Sequence, residues 1–380
     1  MKIAWIGSLK TRTLRNRILR KGFIENNIEL VDLTIPAEFT PYTSKAKLAI
    51  GTVQRALLAL KKVLKNPLNV DFIFISYPSQ EIFPFLSKAL SFRNIKIPII
   101  FDPFISVYYS YTQDYRLLNS NSIIGQMLYR WEHISLKQSD LIMAETNMMC
   151  DFFSHAYKIS RNKFIRVFLG ADDDLFNPEK YKKLKEQNME KTNGKTIVSF
   201  IGEFIPSQGI EYILKAAELL RDHKDIQFHL IGGLSKPYRI ANDFVKKNNL
   251  NNVKLQGYIP LEKVPEQIFL SDIQLGIFGN TPKAKMVISN KVVCAVAMGK
   301  PIITGFSKAS SELFTHKESI YFTEFANSKA LSEAIVSLHE DHALRAKLGE
   351  RARQIFLASL TPKMVVRSIF SSQQCLDRKC

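Results

Sequence analysis

The sequence predicts an α/β protein made of two doubly wound, parallel-sheet domains of similar size. Three observations carry that prediction. The chain has 380 residues, and at roughly 150 residues per domain that length accommodates two hydrophobic cores. Short apolar runs rich in β-branched residues recur along all of it, separated by segments of helical periodicity. The runs are apolar continuously rather than at alternate positions, as strands are when helices cover both faces of a sheet.

In the first half the runs are KIAWIGS (2–8), IELVDLT (28–34), VDFIFISY (70–77), IPIIFDPF (97–104), DLIMAET (140–146) and FIRVFLGA (164–171). The second half repeats the scheme with TIVSFIGEF (196–204), IQFHLIGG (226–233), VKLQGYI (253–259), IQLGIFG (273–279), KPIITG (300–305) and SIYFTEF (319–325). Between them lies NPEKYKKLKEQNMEKTNGK (177–195), charged and poor in apolar residues, which reads as an exposed linker. The expected organisation is therefore a Rossmann-like domain over 1–176 and another over 196–355. Two such domains on one linker place the carboxyl ends of both sheets around a central cleft, where ligands of these sheets bind.

Composition narrows the class. A chain that is 46% hydrophobic and 23% charged is neither disordered nor fibrous. No apolar run reaches the roughly 18 residues of a membrane span, and Met1–Leu9 reads as a strand rather than a signal peptide. Cys150, Cys294, Cys375 and Cys380 show neither CxxC pairing nor zinc spacing, so a reduced, cytosolic, metal-free chain is expected. The net charge of +18 attracts nucleic acid, anionic lipid or phosphorylated substrates. Zinc-finger, KH and RRM signatures are missing, which argues against a specific nucleic-acid partner.

Several segments suit an anion. After the first strand, Gly7 leads into Lys10, Arg12, Arg15, Arg17, Arg20 and Lys21; this is either an anion-binding helix entrance or a solvated basic face. In SFIGEFIPSQGIEYILKAAELL a strand ends at Gly202, and an amphipathic helix starts near Gly209 with Ile210, Ile213, Leu214, Ala217 and Leu220 on one side. Its N–H groups and dipole suit a diphosphate, though an ordinary βα turn reads the same way. In LGIFGNTPKAKMVISNKVVCAVAMGKPIITG (275–305), Ser289 or Asn290 is the N-cap, Lys291–Met298 the helix and Gly299 its C-terminal stop. Asn290 and Cys294 share a face of that helix. A crossover helix explains the cap and the glycine, but not the cluster Lys283, Lys285 and Lys291.

Residues 45–65 align Ile50, Val53, Leu57, Leu60 and Leu64 in one stripe, with Lys47, Arg55 and Lys62 opposite. Such a helix either packs its stripe on the sheet or lies in the headgroup plane of an anionic membrane. Asp172, Asp173 and Asp174 read as a turn or cap rather than a cation site, and His339 with His342 as structural.

With these residues in view, the chain resembles the GT-B glycosyltransferases, specifically the large retaining family that uses nucleotide-sugar donors for cell-surface glycans. The resemblance rests on GEFIPSQGIEYILKAAELL, HLIGG, NNVKLQGYIP, DIQLGIFG, ISNKVVCAVAMGKPIITG and SSELF in the second half, and on FDPFIS, SDLIMAET and LGADDDLF in the first. It implies transfer of a hexose from a UDP- or GDP-sugar to a glycan or lipid-linked acceptor, with retention and without a metal or other cofactor. It also implies a cytoplasmic protein, peripheral at the inner face of the membrane, whose segment 356–380 crosses back onto the first domain.

By the same resemblance, Gly202, Gln208 and Gly209 flank the donor diphosphate and Tyr258 lies near the base. Lys283, Ser289, Asn290 and Lys291 lie near the phosphates, Lys291 as a catalytic group, and Cys294 and Glu312 near the ribose or sugar. In the first domain, Asp102, the catalytic residue, and Ser106 occupy the loop where relatives place a group beside the anomeric carbon, and Ser106 and Gly7 serve an acceptor or phosphate loop. Glu203 and Gln208 stand where relatives carry Arg and Lys, and Met286 and Cys294 where they carry two glutamates eight apart. Neutralising a leaving diphosphate would then fall to Lys291, Lys283 or Lys285 and to helix N-termini. These departures motivate a second reading, a catalytically degenerate paralogue acting as a binding or regulatory partner.

Overall fold

The computed structural model describes residues 1–9, 13–36, 45–66, 68–92, 96–115, 117–182, 184, 194–233 and 235–371. Lys10, Arg12, most of the expected linker and the tail from 372 lie outside the described residues.

All twelve expected strands are present, six in each of two parallel sheets. The first sheet holds β1 (Lys2–Leu9), β2 (Glu29–Pro36), β3 (Phe72–Ile75), β4 (Ile99–Phe101), β5 (Leu141–Ala144) and β6 (Phe164–Arg166), in the order β2-β1-β3-β4-β5-β6. Its helices are α1 (Leu14–Glu25), α2 (Lys45–Lys65), α3 (Phe83–Phe92), α4 (Ile123–Gln138) and α5 (Asn147–Tyr157). The second sheet holds β7 (Thr196–Gly202), β8 (Ile226–Gly232), β9 (Val253–Gln256), β10 (Ile273–Leu275), β11 (Ile302–Gly305) and β12 (Tyr321–Thr323), in the order β12-β11-β10-β7-β8-β9. Around it lie α6 (Ile210–Leu219), α7 (Ser235–Lys247), α8 (Val264–Leu270), α9 (Asn290–Ala297), α10 (Ser328–Glu340) and α11 (His342–Ile355). The last helix, α12 (Pro362–Phe370), belongs to the first unit.

The second order is that of mononucleotide-binding halves, in which strands leave the first strand in both directions. The order therefore reverses between β7 and β10 in the second sheet, and between β1 and β3 in the first. Those two points fix where ligand-binding loops can gather.

The chain divides into one unit of Met1–Phe168 with Pro362–Cys380 and another of Leu169–Thr361. The crossings thus fall eight residues before 176 and six after 355. The reason is local pairing. Ala171 N donates to Leu360 O at 3.2 Å, and the Tyr181 ring lies 5.9 Å from Phe269 on α8. Residues expected to begin a bare linker instead pack on the second unit. In the first unit Trp5, Phe23 and Phe74 pack edge to face at 5.3–5.8 Å, and α12 completes that core with Val365, Val366 and Ile369.

Candidate functional site

In the second unit the carboxyl ends of β7 and β10 meet at the point of strand-order reversal. Buried apolar residues carry β7 to Gly202, and the loop that follows turns into α6 through Gly209, whose φ of +70° is the left-handed region. A side chain at Gly209 would strike the backbone, with Phe278 C 2.6 Å from the added Cβ. Phe278 N also donates to Gln208 O at 3.1 Å, so the loop after β7 lies directly on the loop after β10. Gly209→Ala combines an unfavourable φ with a backbone collision and is expected to destabilise the second unit by about 2–3 kcal/mol. Thermal unfolding measures this, and an unchanged midpoint would refute the loop-on-loop geometry.

Lys291, from the first turn of α9, reaches across Gly202. Its Nζ lies 3.6 Å from the centroid of the Phe200 ring and donates to Gln208 Oε1. An added Cβ at Gly202 would sit 2.7 Å from that Nζ, so a side chain there would push the lysine end aside. Burial pushes the Lys291 ammonium well below the ordinary lysine range, and the Glu203 carboxylate opposes the shift only in part. Phe200 is a neighbour of Lys291 that sequence reasoning missed, since an aromatic in a buried strand looks like any core residue.

Ser289 holds the N-cap position of α9, but its hydroxyl makes no capping hydrogen bond. The helix begins at Asn290, one residue earlier than expected. Ser289 Oγ and Asn290 Oδ1 are both buried without a hydrogen-bond partner among the described residues. Each such atom costs about 1–3 kcal/mol, and they stand at the positive dipole end of a helix. One turn on, Cys294 is buried, and burial pushes its thiol up to about 12. It stays neutral and is a weak hydrogen-bonding partner.

The other expected donor residues are spread over neighbouring loops. Tyr258 follows the edge strand β9 and is 71% exposed; among the described residues no ring contact or hydrogen bond joins it to Lys291. Lys283 sits in a turn whose backbone closes from Met286 N to Lys283 O at 3.0 Å. Glu312, half-buried, ends a short 3-10 turn after β11. Asp172 Oδ1 accepts from Asp174 N at 3.1 Å, the geometry of a turn. His339 links Asp225 at 2.7 Å and Thr196 at 2.8 Å, at the opposite end of β7 from Gly202.

In the first unit Gly7 lies within β1, two residues before its end and not on a loop, at φ +121°, and an added Cβ there would meet the Ser79 side chain. Asp102, after β4, is fully buried and pairs with Arg15 of α1, Nε to Oδ2 2.6 Å. Its geometry is that of a positioning residue for Arg15 rather than a group open to substrate. Arg15 is likewise 3% exposed, so this part of α1 is not a solvated basic face. Ser106 is also turned inward. Its hydroxyl donates to Glu132 at 2.6 Å and caps the helical turn at Val107–Tyr109. Glu132 further accepts from Val107 N at 3.0 Å and from Tyr157 Oη. Burial raises the Glu132 pKa against the pull of these bonds. Ser106 therefore belongs to a buried network and not to an acceptor surface.

Residues 182–355 match the family described as glycosyl transferases group 1. The second unit carries a glycosyltransferase group 1 domain. An uncharacterized glycosyltransferase of Methanocaldococcus jannaschii is 27% identical over 239 residues, which is 63% of this chain but only 60% of that relative's length. Among solved structures, Anabaena HepE in complex with UDP is 15% identical, covering 97% of this chain and 98% of its own, with a TM-score of 0.68. HepE was also solved with UDP-glucose. Sucrose-phosphate synthase of Thermosynechococcus elongatus is 15% identical over 100% of both chains, with a TM-score of 0.74. At these identities the likeness concerns the fold, and it agrees with the two six-stranded parallel sheets of this chain.

Proposed function

We propose that the chain transfers a hexose from a UDP- or GDP-sugar, held by the second unit, to a glycan or lipid-linked acceptor, with retention of anomeric configuration. One observation carries the reading: the half-buried Lys291 ammonium stands at the strand-order reversal between Gly202, Gln208 and the amino end of α9. A leaving nucleoside diphosphate gains charge as the glycosidic bond breaks, and preorganised cations and helix ends stabilise that charge. Gln208 holds the ammonium through a neutral acceptor, so the diphosphate can take over that hydrogen bond and make both of its ends charged. The unpartnered Ser289 hydroxyl can donate to the diphosphate without displacing an existing bond, and the unpartnered Asn290 Oδ1 can accept from a sugar hydroxyl. The test is calorimetric titration with UDP and GDP, followed by assay of nucleotide released from their sugars. Binding of neither nucleotide would overturn the proposal.

The second reading, a degenerate paralogue, is favoured by one feature, the neutral buried thiol of Cys294 where a carboxylate would accept bonds from a ribose diol. In the transferase reading Cys294→Glu is expected to tighten nucleotide binding about tenfold, read by titration alongside a melting curve that confirms folding. A folded variant that binds nucleotide no better than a non-binding parent would favour the paralogue.

A further inference from the structure

Helix α2 turns inward the side opposite to its apolar stripe. Ala56, Ala59 and Val63 are buried, and Arg55, also buried, donates to Glu81 at 2.9 Å. Small residues let the helix approach the sheet, and the ion pair fixes its rotation. The stripe is left outside: Val53, Leu57 and Leu64 are 58%, 61% and 51% exposed. The packing of the stripe on the sheet is thereby excluded for these three residues. On the adjoining α3, Phe85 and Phe92 are 40% and 90% exposed. Two neighbouring helices thus present large apolar side chains, and among the described residues nothing covers them.

The charge around this face has one sign. Lys61 and Lys65 follow Leu57 at intervals of four on the same exposed side of α2, and exposed Lys88 lies between Phe85 and Phe92 on α3. Residues 39–70 contain no Asp or Glu, and neither do residues 82–101. Leucines interleaved with lysines, with no carboxylate among them, complement a surface that is apolar below and anionic above. A face on a protein partner would have to bury those ammonium groups or pair each of them.

We propose that the α2–α3 face docks onto the surface of a bilayer containing anionic phospholipids. The leucines and phenylalanines enter the headgroup–acyl boundary, and Lys61, Lys65 and Lys88 reach the lipid phosphates. No helix among the described residues is long and apolar enough to cross a membrane, so this is adsorption in the interface plane. The proposal stands independently of the donor site, because all its residues lie in the first unit.

The experiment is co-sedimentation of the full chain with vesicles of phosphatidylglycerol and phosphatidylcholine in equal parts, against phosphatidylcholine alone. The wild type is expected to bind the mixed vesicles at low salt and to be released as salt rises. Lys61→Gln with Lys65→Gln is expected to weaken partitioning about thirtyfold, and Leu57→Asp with Phe92→Asp about a hundredfold or more. Both pairs are exposed, and melting curves confirm that the variants fold. Absence of binding at low salt, or equal binding by both variants, would overturn the proposal. So would a wild type that ignores vesicles and sediments as a dimer which Leu57→Asp dissociates. UDP titration of the same samples separates the two proposals, since loss of vesicle binding leaves nucleotide binding intact and the reverse.

Discussion

Lys291→Met is expected to lower nucleotide-sugar turnover about a hundred- to a thousandfold, the cost of losing one preorganised group at a developing anion. Methionine keeps the length of the side chain and its packing on the Phe200 ring, so the melting temperature holds or rises while activity falls. The wild type has a pH signature that the variant lacks. Burial keeps the folded-state ammonium below its ordinary value of 10.5, whereas the unfolded chain titrates at that value. Between the two the unfolded state binds more protons, so ligand-free stability rises as pH climbs through this window. A bound diphosphate favours the charged form, so nucleotide binding takes up a proton and weakens as pH rises. Calorimetry in two buffers of different ionisation enthalpy reads this uptake directly. Equal proton uptake by wild type and Lys291→Met would remove Lys291 from the phosphate site.

Asp102→Ala is expected to destabilise the first unit by about 3–5 kcal/mol, because it leaves the Arg15 guanidinium buried and uncompensated. Removing both charges is a different matter. Arg15→Met with Asp102→Leu replaces the pair by apolar volume and is expected to recover most of the loss. Urea unfolding of the two single variants and the double one measures the coupling directly. Additive losses would mean that the pair is not the reason both groups are buried. A direct catalytic role for Asp102 predicts the opposite pattern, a collapse of turnover with little change in stability.

The twelve strands were legible because parallel strands covered on both faces are apolar at every position, as in FIFI of β3 and LIMA of β5. The strand end at Gly202, the helix start after Gly209 and the cap position at Ser289 were legible too, because these are local patterns. What failed depends on partners remote in sequence. Nothing near Asp102 announces that Arg15, 87 positions earlier, claims it. Ser106 likewise gives no sign of Glu132, 26 residues on. Periodicity located the apolar stripe of α2 but not its direction. That was decided by the small side chains Ala56 and Ala59 on the other side, together with the Arg55–Glu81 pair. The crossings between units were misplaced because charge composition marks exposure, while Tyr181 shows how a polar stretch still adheres to one core and Ala171 is claimed by Leu360, 189 residues on.

The placement of α12 has a consequence for biogenesis. Val365, Val366 and Ile369 are part of the core built on β1 and α1, although residues 169–361, a whole compact unit, are synthesised in between. A ribosome therefore releases everything needed for the second unit before the first can close, so the unit begun first is finished last. Throughout that interval Phe23 and Phe72, which meet Phe370 in the finished fold, emerge without their cover. They are the surface a chaperone would meet on the nascent chain.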